Sequence, residues 1–308
     1  MSHIYIYSPS SAVRDKAAFK RGVKRLQTLG HSVEVDADAL SSAMRFAGDD
    51  ATRIAAVTRA AASGADVALT SRGGYGLTRI LKDLPYKAIA KSIERGTQFA
   101  GLSDFTALQC ALLAKTGAAT WAGPAVIEDF GCEGMPDDIM EACFDDMACG
   151  QGEGTGWTVP IADARYLQAR SKTGDLRVRD ATLWGGNLTV LCSLVGTPWM
   201  PEIKGGILFL EDVNEHPYRI ERQLTQLINA GILGRQKAVV LGAFNRYKAS
   251  PHDKGYKLQT VVDWVRSQVK TPVITGLPFG HVPTKVMLPV GQKVELLVQD
   301  RQALVFWG

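Results

Sequence analysis

The sequence lacks most features that would classify a chain at a glance. No apolar run approaches the ~20 residues that cross a bilayer as a helix, so no membrane helix and no membrane partner are expected. The opening Met1-Ser2-His3-Ile4-Tyr5-Ile6-Tyr7-Ser8 has no basic segment followed by an apolar one; no export signal is read there, and the expected address is the cytoplasm. A charge excess is lacking too. The 35 Lys and Arg against 31 Asp and Glu leave +4, scattered rather than gathered into a stripe, which argues against a nucleic-acid partner. Cysteine is scarce: Cys110, Cys132, Cys143, Cys149 and Cys192 are odd in number and form no C-x-x-C pair. Neither a disulfide framework nor a zinc cluster is expected, and most of these thiols should be buried as small hydrophobes.

What is present is ordinary globular material. With 46% hydrophobic residues disorder is excluded, and 31 Gly and 13 Pro follow no period. A length of 308 residues suggests two domains or one large α/β unit. Residues 3–8 alternate with a period of two before the breaker Ser8-Pro9-Ser10-Ser11. Phe19, Val23, Leu26 and Leu29 then mark a helix that Gly30 closes. Residues 31–35, 65–70 and 98–102 read as strands, and 49–63, 77–84 and 106–116 as helices. Such alternation implies parallel pairing through right-handed crossovers. From about residue 150 the texture turns glycine-rich and polar, and 151–180 is read as a linker or crossover. Beyond it, 205–210, 238–242 and 272–275 read as buried strands, 187–195, 217–230 and 257–269 as helices, and 294–298 with 303–306 as an antiparallel pair.

Three glycine-marked strand ends carry polar residues that a core does not need. In Gly101-Leu102-Ser103-Asp104-Phe105-Thr106 a strand runs into a turn and a helix starts at once. Ser103 so placed is presented where a nucleophile finds fixed N–H donors for an oxyanion. The competing reading is that Ser103 or Asp104 merely caps the helix. Phe105 also stands where a G-x-S-x-G elbow has its second glycine. In Ser71-Arg72-Gly73-Gly74-Tyr75-Gly76 the glycines let the backbone approach a ligand, and Arg72 is suited to grip a carboxylate; a plain tight turn is the alternative. The third end, Leu210-Glu211-Asp212-Val213-Asn214-Glu215-His216-Pro217, invites a metal reading, which Pro217 opposes by pushing His216 out of a helical conformation. Pro217 is read as a first helical residue with the preceding polar residues capping. Glu211 is the carboxylate best placed to orient an imidazole.

His281, ending Ile274-Thr275-Gly276-Leu277-Pro278-Phe279-Gly280-His281, supplies that imidazole, its glycines clearing space around the ring. His3 lies in the opening strand, His31 and His252 in polar, surface-like stretches, and His216 is the competitor. A lone histidine is more often structural than catalytic. Ser103, Glu211 and His281 together, each at a strand end, form a candidate nucleophile, acid and base.

The chain resembles the LD-carboxypeptidase family of serine peptidases, in particular its cytoplasmic, murein-recycling branch. The carriers are Arg72-Gly73-Gly74-Tyr75-Gly76, Ser103-Asp104-Phe105-Thr106-Ala107, Leu183-Trp184-Gly185-Gly186-Asn187-Leu188, Gly196-Thr197-Pro198-Trp199-Met200-Pro201, the block Leu210 to Pro217, and Gly276 to His281. The resemblance implies an α/β fold of two domains: a parallel-sheet, Rossmann-like domain over 1–150 with the nucleophile, and an α/β domain with a mainly β core over 181–308 with Glu and His. It also implies a Ser103–His281–Glu211 triad divided between them. The implied reaction removes the terminal D-alanine from the tetrapeptide L-Ala-γ-D-Glu-meso-diaminopimelate-D-Ala, with no metal or organic cofactor. Backbone N–H groups of Asp104 and of Gly73 or Gly74 are expected to hold the oxyanion, with Arg72 and Tyr75 contacting substrate. A homodimer is the assembly put forward. Two other readings stay open: an amidase of the microcin C-immunity branch of the same family, and a two-domain ligand-binding protein without turnover.

Overall fold

A computed structural model describes residues 1–171 and 173–307. The chain divides into two compact units. The first comprises residues 1–152, 197–201 and 283–291; the second comprises 153–196, 202–282 and 292–308. The strands in chain order are β1 (His3–Tyr7), β2 (Ser32–Val35), β3 (Val67–Thr70), β4 (Gln98–Gly101), β5 (Thr120–Ala122), β6 (Gly154–Thr158) and β7 (Leu176–Asn187). They continue as β8 (Ile207–Val213), β9 (Ala238–Asn245), β10 (Val273–Ile274), β11 (Leu288–Val290), β12 (Lys293–Gln299) and β13 (Gln302–Phe306).

The sheet of the first unit runs β11-β5-β4-β3-β1-β2, parallel throughout except for β11 against β5. This is the Rossmann-like arrangement expected from strand–helix alternation. Its middle strands β3 and β4 are buried except at Gln98, which opens β4, as strands covered on both faces must be. The connecting helices follow local rules. In Lys16–Thr28 the Asp15 carboxylate accepts from the Ala18 N–H at 2.8 Å, and Ala18, Phe19, Gly22 and Leu26 make the buried stripe. Leu29, read from the sequence as part of that stripe, follows the helix and is exposed. Asp50–Ala62 is capped by Asp49 and buries Arg53, Ala56, Val57, Ala60 and Ala61. Thr106–Thr116 matches its expected bounds, whereas Leu77–Ile80 tightens into a 3-10 turn over Leu81–Asp83. Segment 283–291 is held in this unit by β11 and by a buried ion pair of Lys285 with Asp129.

The second sheet runs β10-β9-β8-β7-β12-β13-β6. Its β7–β10 half is parallel, and its β7-β12-β13-β6 half antiparallel. The stretch 151–180, read as a linker, contains β6, the helix Ile161–Gln168 and the start of β7. The two glycines of β6 have a packing reason: a Cβ at Gly154 would meet the Val305 carbonyl, and one at Gly156 would meet Leu304, each at 2.7 Å on the neighbouring strand. The helices expected over 187–195, 217–230 and 257–269 are Leu188–Ser193, Pro217–Asn229 and Leu258–Gln268.

Two expectations about buried side chains need correction. Only Cys110 and Cys192 of the five thiols are buried; Cys132 and Cys143 are half-buried and Cys149 is exposed. Burial pushes the Cys110 thiol up to about 12, so it is inert at neutral pH. His31, read as lying in a surface-like stretch, is 4% exposed. Its ring packs edge-on to Phe144 at 6.1 Å, on the helix Asp138–Ala148 that the sequence did not announce.

Desolvation lowers the His31 pKa from its ordinary 6.5, aided by the chain's N-terminal ammonium and opposed by Asp145. A histidine held neutral in the folded chain but free to protonate when unfolded stabilises fully above pH 6.5, and that contribution fades as pH falls through the window below it. The urea midpoint of the wild type should therefore drop between about pH 6.5 and 5. His31→Phe is expected to flatten that slope, and an unchanged slope would remove His31 as its source.

Candidate active site

Ser103 follows β4 at the carboxyl end of the parallel sheet and begins a 3-10 turn, Ser103–Phe105, that leads directly into Thr106–Thr116. It has φ +65°, left-handed backbone that costs a non-glycine residue about 1–2 kcal/mol. Neither the turn nor the helix takes a side-chain cap, so Ser103 and Asp104 are not there as helix caps. Phe105, which replaces the second glycine of an elbow, turns its ring into the core against Gly101. Asp104 is buried. Its Oδ2 accepts from the Ser10 hydroxyl at 2.7 Å and the Leu77 N–H at 2.9 Å.

Gly73 lies flat against the serine. A Cβ placed on it would stand 2.6 Å from Ser103 Cβ and 3.0 Å from Oγ, so only glycine lets the 71–76 loop approach this closely. Gly74 packs instead on Ser11, whose Oγ accepts from the Tyr75 N–H at 3.0 Å. Arg72 donates to the Ala12 carbonyl at 3.3 Å and lies 3.8 Å from Glu128. Tyr75 is 43% exposed and sits beside Phe46 and Arg45, each 5.8 Å away. Ser103, Asp104 and the Arg72–Tyr75 loop thus share the first unit.

In the second unit the structure brings Glu211 and His281 together. Glu211 lies in β8, where the register against β9 shifts between Leu210 and Asp212. Glu211 and Asp212 are both buried, as is the rest of β8 from Ile207 to Leu210, because a central parallel strand is covered on both of its faces. Glu211 Oε2 lies 2.8 Å from His281 Nδ1, and Oε1 accepts from Asn187 Nδ2 at 3.0 Å. That bond occupies Nδ1, so of the two ring nitrogens it is Nε2 that Glu211 does not engage. Gly280, at φ +125°, clears space for the carboxylate rather than for the ring: its Cβ would meet Glu211 Oε2 at 2.9 Å. The Asn245 side chain donates to the His281 carbonyl at 2.9 Å and holds the loop.

Asn187 is the residue that sequence reasoning missed. It ends β7 directly opposite Glu211 in the parallel register, so its amide reaches Oε1 while also donating to Asp212 Oδ1 at 3.1 Å. Its own Oδ1 accepts from the Val190 N–H and caps Leu188–Ser193. The available signal was the Trp184-Gly185-Gly186-Asn187 block. Asp212 accepts twice from Thr189, and burial pushes its carboxyl above the ordinary range. His216 stays apart from this group. It precedes Pro217 at the helix start, as expected, but no side chain caps that helix, and its Nε2 pairs with Asp253 at 3.2 Å.

Family models add a finding from outside the chain. The model of the LD-carboxypeptidase N-terminal domain matches residues 4–123, and that of the LD-carboxypeptidase C-terminal domain matches residues 180–296. The chain belongs to the LD-carboxypeptidase family. As a member it is a serine-type carboxypeptidase. Among solved structures, it is similar to a muramoyltetrapeptide carboxypeptidase from Oxalobacter formigenes, at 39% identity and a TM-score of 0.86 over 99% of this chain and 98% of that one. It is 27% identical to a probable murein peptide carboxypeptidase of Bacillus subtilis over 78% of this chain and 71% of the relative. It is also 29% identical to the microcin C7 self-immunity protein of Escherichia coli, over 74% and 70%. No helix among the described residues is long and apolar enough to cross a membrane.

Gly280→Ala tests the packing behind the LD-carboxypeptidase histidine. A side chain there adds backbone strain of about 1–3 kcal/mol and displaces the Glu211 carboxylate. The expected outcome is a lower thermal midpoint together with a lower turnover. A midpoint and a rate equal to wild type would show that the 276–281 loop relaxes freely.

Proposed function

We propose that the chain is an LD-carboxypeptidase that hydrolyses the terminal D-alanine from murein tetrapeptide, giving tripeptide for peptidoglycan recycling in the cytoplasm. The observation that carries the reading is the pairing of buried Glu211 with half-buried His281, with Nδ1 engaged at 2.8 Å and Nε2 left for proton transfer. A serine in a left-handed turn at a parallel strand end supports it from the other half of the chain.

In the proposed reaction the Ser103 hydroxyl attacks the scissile carbonyl while His281 Nε2 takes its proton. Collapse of the tetrahedral intermediate expels D-alanine, whose amine receives that proton from His281, and an acyl-enzyme on Ser103 remains. Water, activated by the same imidazole, releases the tripeptide. Glu211 holds the ring in the required tautomer and stabilises its charged form. The N–H groups of Asp104 and Gly73 or Gly74 are assigned to the oxyanion, a contribution of about 3 kcal/mol per donor. Arg72 is assigned the substrate's terminal carboxylate, which accounts for removal of a single terminal residue, and Tyr75 an adjoining contact. A homodimer is the proposed assembly.

Incubation of the purified protein with murein tetrapeptide, followed by mass spectrometry, should yield tripeptide and free D-alanine. Intact tetrapeptide at high enzyme concentration would sink the proposal, and cleavage of an aminoacyl-nucleotide in its place would move the chain to the microcin-immunity branch. Ser103→Ala should lower turnover by ~10⁴-fold or more while leaving the thermal midpoint nearly unchanged. Activity that survives this change would place the nucleophile elsewhere.

A further inference from the structure

Beneath the serine turn lies a buried polar network that the reaction above does not use. Ser10, Arg53 and Asp104 are each no more than 1% exposed. They come from three places: the loop after β1, the helix Asp50–Ala62, and the turn after β4. Asp104 Oδ2 accepts from Ser10 Oγ at 2.7 Å and from the Leu77 N–H at 2.9 Å. Arg53 donates to the Gly76 carbonyl at 2.7 Å and the Pro9 carbonyl at 3.4 Å. Burial pushes the Asp104 carboxyl above the ordinary range, while the donors from Leu77, Ser10 and Gly76 and the Arg53 guanidinium oppose that shift.

Burying a carboxylate and a guanidinium costs several kcal/mol per ion before compensation. An apolar residue at position 104 would not incur that cost and would leave the Asp104 main chain unchanged in composition. What the carboxylate adds is connection. It grips the far end of the loop whose near end, Gly73, packs against Ser103. Arg53 takes the carbonyl of Gly76 while Asp104 takes the next N–H, so the Gly76–Leu77 peptide is held from both sides. Ser11 fixes the middle, accepting from Tyr75 and donating its N–H to the Gly73 carbonyl at 3.4 Å.

We propose that the Asp104 side chain, through Ser10 and the Leu77 N–H, is a positioning residue for catalysis: it ties the 73–77 loop to the serine turn and so sets the distance between the loop's N–H donors and Ser103. The inference rests on Ser103 being the nucleophile. Donors aimed at charge that develops only in the transition state affect kcat and leave ground-state binding alone. A one-atom change is enough to disturb them. Asp104→Asn removes the charge that Ser10 Oγ, the Leu77 N–H and the Arg53 guanidinium face, and reduces the two bonds to Oδ2 from charge-assisted to neutral ones. Ser10→Ala removes a single arm of the same network.

Steady-state kinetics on murein tetrapeptide at 25 °C, with circular dichroism establishing that each variant is folded at that temperature, decide the matter. Asp104→Asn is expected to lower kcat by about 10–100-fold with KM within twofold of wild type, and Ser10→Ala by about 3–10-fold. The double variant should be no slower than Asp104→Asn by more than twofold, because both changes act through one linkage. A kcat within twofold of wild type in folded Asp104→Asn, a loss carried by KM, or fully additive effects would overturn the inference. Should Asp104→Asn not fold, Ser10→Ala decides alone, and a wild-type kcat there overturns it. Ser103→Ala in parallel separates the two readings: if it turns over, the nucleophile assignment fails, and if it is inert while Asp104→Asn is unimpaired, only the positioning role fails.

Discussion

The second unit is organised around a carboxylate with no water to solvate it. Glu211 is fully buried, and a polar group so placed costs free energy unless the protein supplies its hydrogen bonds. Both oxygens are served, one by His281 and one by Asn187. Meeting those demands constrains much else. Asn187 must end β7 opposite Glu211, and the residue before His281 must lack a side chain. Asp212 adds a second buried carboxyl that Thr189 and Asn187 satisfy. The imidazole is therefore oriented by groups that three strands hold in register.

The first unit places its polar residues by a different device. In an open parallel sheet the loops at the carboxyl ends of the strands are where backbone N–H groups converge and where ligands are bound. Ser10, Gly73 and Ser103 come from the loops after β1, β3 and β4, which are adjacent in the sheet. Ser103 sits in left-handed backbone, a conformation kept only where the surroundings over-determine it. Those surroundings are Gly73 on one side, the Phe105 ring in the core, and the Asp104–Ser10–Leu77 bonds beneath.

Much of this was legible in the residues alone. The strand–helix alternation of the first half, the helix Thr106–Thr116 and the closing pair β12–β13 follow from periodicity and from glycine and proline punctuation. Ser103, Glu211 and His281 stood out as polar groups at apolar strand ends. The illegible parts share a cause. His31 looked exposed because its partner Phe144 lies on a helix more than a hundred residues away. Residues 151–180 looked like a linker because glycines that serve strand packing read as breakers. Asn187 looked like one polar residue among many until its register against Glu211 was known.

The amino-acid sequence by itself determined the two-part α/β character, the residue types able to attack, orient and protonate, and the glycines that leave room beside them. These depend on local periodicity and on the presence or absence of a Cβ. Tertiary structure alone decided the left-handed φ of Ser103, the register that sets Asn187 against Glu211, and the tie from Asp104 to Leu77. Each of these is a compromise between a local cost and partners distant in the chain, and no window of sequence contains both sides of that balance.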